Sequence, residues 1–345
     1  MKLKQFQTHL KEKGIDLAFL VHPDPNIIYF AQMKPSFAFL LVTPASADLY
    51  LSKLDLPPRM LGISVSFLQK DWEKKLADPN IKKVAVNKAA LSVLYAEKLR
   101  KLYPQAEHID ISVILNELRA QKTPQEIQKI RKACAITSQA FNGLINRFSL
   151  QKFKTEQDIA LFLETFFREH GAELAFPTIV ASGKNSAVPH HVTSTAKLQK
   201  GFLQLDFGAS YQQYCSDMSR VLYIGKPTTE EKERFTILHE AQAAPIPEAK
   251  LGKPFTELDA ISRKKLGKYS SYFIHSLGHG VGVEIHEAPS FAEEAKQTVK
   301  ENHIFTIEPG IYFPGKYGIR IEDTLRFDGK AKILTKAPKQ LIILK

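Results

Sequence analysis

The chain has 345 residues, too many for one ordinary hydrophobic core and suited to two. Its 44% hydrophobic and 24% charged content is ordinary for globular proteins and excludes disordered and fibrous classes. Lysine and arginine outnumber aspartate and glutamate by 48 to 36, a net charge of +12 that admits an anionic partner but is more readily met by a soluble basic surface.

Leu3, Phe6 and Leu10 recur at helical spacing, and residues 16–21 read as the first strand. Further strands are expected at 36–42, 48–51, 63–67 and 83–86, with a helix over 89–103. This alternation predicts an α/β domain with a mixed sheet over residues 1–120. It holds no catalytic motif: His22, Asp24 and Asp71 stand alone and read as loop groups. The segment Thr123-Pro-Gln-Glu126 joins an N-cap hydroxyl, a proline at the first helical position and a glutamate three residues on. That capping box opens a second domain, residues 121–345, with a helix whose stripe runs through Ile127, Ile130, Cys134, Phe141, Leu144 and Phe148, with Thr137 its polar member. Cys134 therefore reads as a core residue. Helices follow over 156–170, capped by Thr155, from Thr229 until Pro245 and Pro247 interrupt, and over 256–266.

The two cysteines, Cys134 and Cys215, have no CxxC neighbour and fit a reducing compartment. The first residues show no apolar leader, and no run approaches the roughly 18 apolar residues of a membrane span. The expectation is a soluble, cytoplasmic protein without a membrane or nucleic-acid partner.

A faint repeat carries the chemistry. Residues 202–207 (FLQLDF) and 214–224 (YCSDMSRVLYI) read as one hairpin. Residues 305–313 (FTIEPGIYF) and 318–327 (GIRIEDTLRF) read as another, turning at 314–317. Each strand holds one acid in an apolar setting: Asp206 and Asp217, then Glu308 and Glu322. Alternation lets both acids of a hairpin face the same side. A single such acid is more readily a salt-bridge or cap residue. Four in two matched hairpins would repel one another unless a cation neutralised them. His279 lies in the glycine-rich segment SLGHGVG, His286 in EIHEAP, and His190 with His191 after a proline in ASGKNSAVPHH. Carboxylates with an imidazole and no thiolate suit Mn, Co, Fe or Zn.

The motifs LDFGA, YCSDMSR, GHGVGVEIHEAP, TIEPGIY and GIRIEDT, in this order, resemble those of the pita-bread metallopeptidases, in their Xaa-Pro dipeptidase and aminopeptidase branch. The resemblance covers residues 119–345, and the N-terminal part is similar in size and pattern to that branch's non-catalytic domain. It implies an α+β pita-bread catalytic domain, a homodimer, and hydrolysis of the bond preceding proline in X-Pro or X-Pro-Y peptides. It also implies two divalent ions, manganese first and cobalt, zinc or iron otherwise, sharing a bridging hydroxide. Asp206 would chelate one ion, His279 and Glu308 the other, and Asp217 and Glu322 would bridge. Glu308 would be the general base, and His190 and His286 would line the substrate pocket. Arg320 would brace ligands or substrate, with a strand-end salt bridge as its bland alternative. His191 gains no role.

Three features depart from the family pattern: Ser290 stands where relatives commonly carry a basic residue, Pro245 and Pro247 break a usually continuous helix, and Asn302-His303 replaces a usual Gly-Met. Competing readings are a methionine-type aminopeptidase, which usually lacks the N-terminal domain, and a creatine amidinohydrolase, which lacks these ligands. An inactive pita-bread module binding nucleic acid or protein is the third.

Overall fold

The computed structural model describes residues 2–58, 62–149 and 152–344. The chain forms two compact units, Met1–Arg119 and Ala120–Lys345.

Among the described residues, the first unit is built on a six-stranded mixed sheet. Strand Leu17–Val21 pairs antiparallel with Ala38–Val42 and parallel with Lys83–Val86. Ala47–Leu51 and Ser64–Phe67 extend one edge, and Glu107–Asp110 the other. Leu17–Val21 and Ala38–Val42 are buried throughout, as central strands covered on both faces should be. The helix expected over 89–103 starts later, at Val93, because a turn on the Asn87 carbonyl comes first and Ser92 then caps the helix through the Tyr95 N–H. Asp24 is no free loop group: it caps the short helix Pro25–Ala31 and is buried.

The second unit carries the long helix Pro124–Arg147, and both halves of the expected capping box are formed. Cys134 is buried on its inner stripe. Thr137, the polar member, shares a hydrogen bond of 2.6 Å with Ser216 Oγ and accepts one from the Ala209 N–H at 3.0 Å. It thereby pins the helix to the first acidic hairpin. Helix Glu156–Glu169 follows, and Thr229–Ala243 ends before Pro245, whose ring would clash with the preceding turn.

Both hairpins form, but neither as two unbroken strands. Gly201–Phe207 pairs with Met218–Ile224, and Ala209–Tyr211 with Tyr214–Cys215, in one continuing register interrupted at Gly208 and Asp217. Likewise Ile304–Ile307 pairs with Asp323–Phe327 and Gly310–Phe313 with Tyr317–Arg320. That register places Glu308 opposite Glu322 at the interruption. Pro309 explains the break, since it has no N–H for the ladder, and Glu308 donates its own N–H to the Leu277 carbonyl at 2.8 Å instead. At Asn302 the backbone is left-handed, φ 62°, a conformation asparagine tolerates better than most residues in place of glycine. Among the described residues no helix is long and apolar enough to cross a membrane.

Candidate metal centre

The interruptions set the site. Where the ladders break, backbone groups are satisfied by side chains: Asp217 N–H donates to Thr324 Oγ1 at 3.2 Å, and Thr324 Oγ1 donates to the Asp217 carbonyl at 2.7 Å. The Glu322 N–H donates to the Ser219 carbonyl at 3.2 Å, tying the second hairpin to the first. His279 reaches the same place because its strand approaches closely. A Cβ at Gly278 would fall on the Thr306 carbonyl, and one at Gly280 on that of Ala288.

One donor atom from each of Asp217, His279 and Glu322 lies within 4.8 Å of the others. His279 Nε2 stands 3.1 Å from Glu308 Oε1 and 3.5 Å from Asp217 Oδ2. Asp206 joins through Arg320, whose NH2 donates to Oδ2 at 2.6 Å. All eight residues singled out in the sequence, these six with His190 and His286, line one cavity of about 1220 Å3. His190 and His286 are exposed, and the His286 ring lies 4.3 Å from that of His279.

Burial, reinforced by the charges of Glu322, Asp206 and Glu308, pushes the Asp217 carboxyl well above the usual carboxylate range. Burial with Glu308 and Asp206 does the same to Glu322. Burial works to raise Glu308 too, but the hydrogen bond and charge of His279, then His275 and Arg320, bring it down to about 2. His279 is raised in return: burial opposes its charge, and Glu308 outweighs it. Protein groups alone therefore leave two acids of the cluster resisting ionisation.

The donor set fits divalent cations. Asp206 Oδ1, Asp217 Oδ1 and Glu322 Oε1 are buried and have no hydrogen-bond partner. Such orphans are costly for a carboxylate unless a cation meets them. His279 Nδ1 lies 3.0 Å from the Gly280 carbonyl, a bond that puts the proton on Nδ1 and leaves the Nε2 lone pair to a ligand. Thr306 Oγ1 donates to Glu308 Oε1 at 3.0 Å, and Ser219 Oγ to Glu322 Oε2 at 3.0 Å. Oriented ligands of this kind are what a metal site needs around its first ring of donors.

Arg320 closes the strand Tyr317–Arg320 and makes a buried ion pair with Asp206, a candidate ligand, so the strand-end salt bridge is formed and it holds that acid in place. Its NH2 holds Asp206, its Nε donates to Ser219 Oγ at 2.9 Å, and its NH1 to the Tyr312 hydroxyl at 2.6 Å. Tyr312, whose phenol burial pushes up to about 12, also meets His275 Nε2 at 3.0 Å. Tyr312 and His275 were invisible in sequence, where nothing separates them from core aromatics. His191 gains a partner: its Nε2 lies 2.8 Å from Glu156 Oε2. Glu156, fully buried, also accepts from the Ser182 N–H and from Asn185 Nδ2, both at 2.8 Å. It thus anchors the loop that presents His190. Its place just after a capping threonine was the available signal. Arg220, behind the site, donates to Asp323 at 2.7 Å and also to the Glu322 carbonyl.

Residues 128–328 match metallopeptidase family M24, and residues 2–121 match the creatinase/prolidase N-terminal domain. A Xaa-Pro dipeptidase of Pyrococcus horikoshii is 35% identical over 99% of this chain and 98% of its own. The crystal structure of the prolidase from Pyrococcus horikoshii OT3 superposes with a TM-score of 0.91 at 33% identity, covering 99% of both chains. That of the X-Pro aminopeptidase from Thermotoga maritima also gives 0.91, at 31% identity and 99% of both chains.

Proposed function

The chain belongs to metallopeptidase family M24, in its Xaa-Pro peptidase branch, and from that premise we propose that it hydrolyses the peptide bond preceding proline with a binuclear divalent metal centre. It is a metallo-exopeptidase with a creatinase/prolidase-type domain before a pita-bread domain. Asp206, Asp217, His279, Glu308 and Glu322 would hold the two ions, with Asp217 and Glu322 shared between them. Manganese is the first candidate, and cobalt, zinc and iron the alternatives, because the set offers oxygen donors and one imidazole. When bound, divalent cations make water nucleophilic near neutral pH and offset charge developing on the carbonyl oxygen.

The chain's own groups position the peptide and move the proton. Glu308, held ionised beside His279, accepts a proton from the attacking water and passes it to the proline nitrogen as the C–N bond breaks. The water's hydroxyl stays on the acyl carbon, so one water is consumed and the products are an amino acid and a peptide or free proline. His190 and His286, both on the cavity wall, face the carbonyl and the leaving group. Arg320 takes one oxygen of Asp206 and leaves Oδ1 for a ligand. A bond to proline is a tertiary amide with no N–H, so recognition rests on cavity shape and these few polar groups.

The observation that carries the reading is the trio of buried, unpartnered carboxylate oxygens, Asp206 Oδ1, Asp217 Oδ1 and Glu322 Oε1. Metal-depleted protein assayed on X-Pro, X-Pro-Y and Met-X peptides, with and without Mn, Co or Zn, tests it. Metal-restored cleavage of proline peptides is expected. Restored cleavage of Met-X peptides alone, or none at all, would overturn the proposal.

A further inference from the structure

The cavity that holds the proposed centre is large, apolar at its rim and short of positive charge. Its volume of about 1220 Å3 lies above the roughly 300–1,000 Å3 of pockets that enclose a small ligand. Leu161, Val188, Val192 and Ile274 line it while remaining 62%, 55%, 82% and 66% exposed. Single exposed aliphatics are ordinary on a surface, but four on the wall of one cavity form an apolar contact area. Glu164 adds a further acid to that wall.

Among the described lining residues, Arg320 is the one arginine or lysine. It is 3% exposed, and each of its three side-chain nitrogens is engaged, by Asp206, Ser219 and Tyr312. Three of the lining histidines are also committed, His191 to Glu156, His275 to Tyr312 and the Ser276 carbonyl, and His279 to Glu308 and the Gly280 carbonyl. His190 and His286 remain, and the proposed reaction uses both at the scissile bond. Ser290 brings no charge, does not line the cavity and pairs across from His279. Four carboxylates and the shared hydroxide would be balanced by two divalent cations and Arg320, leaving no surplus positive charge.

A free X-Pro dipeptide brings a carboxylate directly attached to the leaving proline. Carrying that charge into a cavity without a free cation costs far more than carrying a neutral amide. We infer that the site takes peptides that continue past the proline, X-Pro-Y and longer, with the apolar rim meeting the residues after proline. This specificity rests on the proline-peptidase reading above.

The manganese-loaded full chain is assayed on Ala-Pro, Ala-Pro-amide, Ala-Pro-Ala and Ala-Pro-Leu. We expect kcat/KM for the tripeptides to exceed that for Ala-Pro by at least about tenfold, the scale of one charge-assisted hydrogen bond. Ala-Pro-amide should also outrun Ala-Pro, since amidation removes the unread charge. Joint replacement Val192→Ser and Ile274→Ser should lower kcat/KM on Ala-Pro-Leu several-fold more than on Ala-Pro-amide. A preference for Ala-Pro over the tripeptides, or a loss on amidation, overturns the inference and leaves the proline-peptidase reading standing. No cleavage of any of the four overturns both.

Discussion

Each of the two units buries acids, and it buries them differently. In the N-terminal unit, Asp24 is 3% exposed, and both carboxylate oxygens are used. Oδ1 accepts from the Asn26 N–H at 2.8 Å and from Asn26 Nδ2 at 2.7 Å, and Oδ2 accepts from Asn87 Nδ2 at 3.0 Å. In the C-terminal unit, Asp217 and Glu322 are as buried, at 5% and 1%, yet each keeps one oxygen without a partner. Burial raises the carboxyl in all three, but at Asp24 hydrogen bonds from Asn26 and Asn87 oppose it, whereas around Asp217 further carboxylates add to it. The contrast separates an acid whose lone pairs are met within the protein from one that keeps an oxygen unmet. What distinguishes them is how the lone pairs are used; depth is the same.

Substitution breaks the comparison most strongly. Asp217→Ala should lower kcat/KM on proline peptides by at least about 10^2–10^3-fold, the loss typical of one contact to developing charge. It should leave the metal-free protein no less stable, because it removes a repelling charge from the cluster. Asp24→Ala should do the reverse, lowering stability by about 1–3 kcal/mol through a lost cap and stranded amides while activity per folded molecule is kept. Urea unfolding in chelator, beside steady-state kinetics, reads both. A loss of metal-free stability in Asp217→Ala as large as in Asp24→Ala would make Asp217 a structural acid.

The pH dependence sharpens the same point. Asp217 and Glu322 have folded values above their unfolded ones. Their contribution to the metal-free fold is complete below about pH 4 and is lost as pH rises through the raised values. The Tm gain on adding Mn should therefore widen as pH rises from about 5 to 8. Asp217→Asn should flatten the metal-free slope. An equal Mn effect across that range would contradict the assignment. The smallest effect is expected at Thr137→Val, where losing bonds to Ser216 and Ala209 should cost about 1–2 kcal/mol, seen as a Tm drop of a few degrees, with kcat/KM changed only modestly.

The sequence made the acids legible because four carboxylates among leucines and phenylalanines violate the rule for buried strands. The Thr123 capping box and the Thr155 cap marked helix starts from local sequence, and both are formed, Thr155 with Asp158 closing a box as well. Long-range partners were not legible. Nothing local tells that Arg320 grips Asp206, or that Glu156 gathers the loop of His190, because these contacts join residues 114 and 35 positions apart. The short helix Pro25–Ala31 is missed because Asp24 reads as a loop group, and seven residues give too little periodicity to argue otherwise. The strand breaks at Gly208 and Pro309 were masked by flanking β-rich sequence, although the proline was a sufficient warning.

Metal stoichiometry tests the central claim most directly. After dialysis against manganese and passage through a desalting column, elemental analysis of the wild-type chain, Asp24→Ala and Asp217→Ala would be compared. Two ions per chain in the wild type and Asp24→Ala, and fewer than two in Asp217→Ala, is the predicted result. One ion or none in the wild type, or two retained by Asp217→Ala, would contradict it.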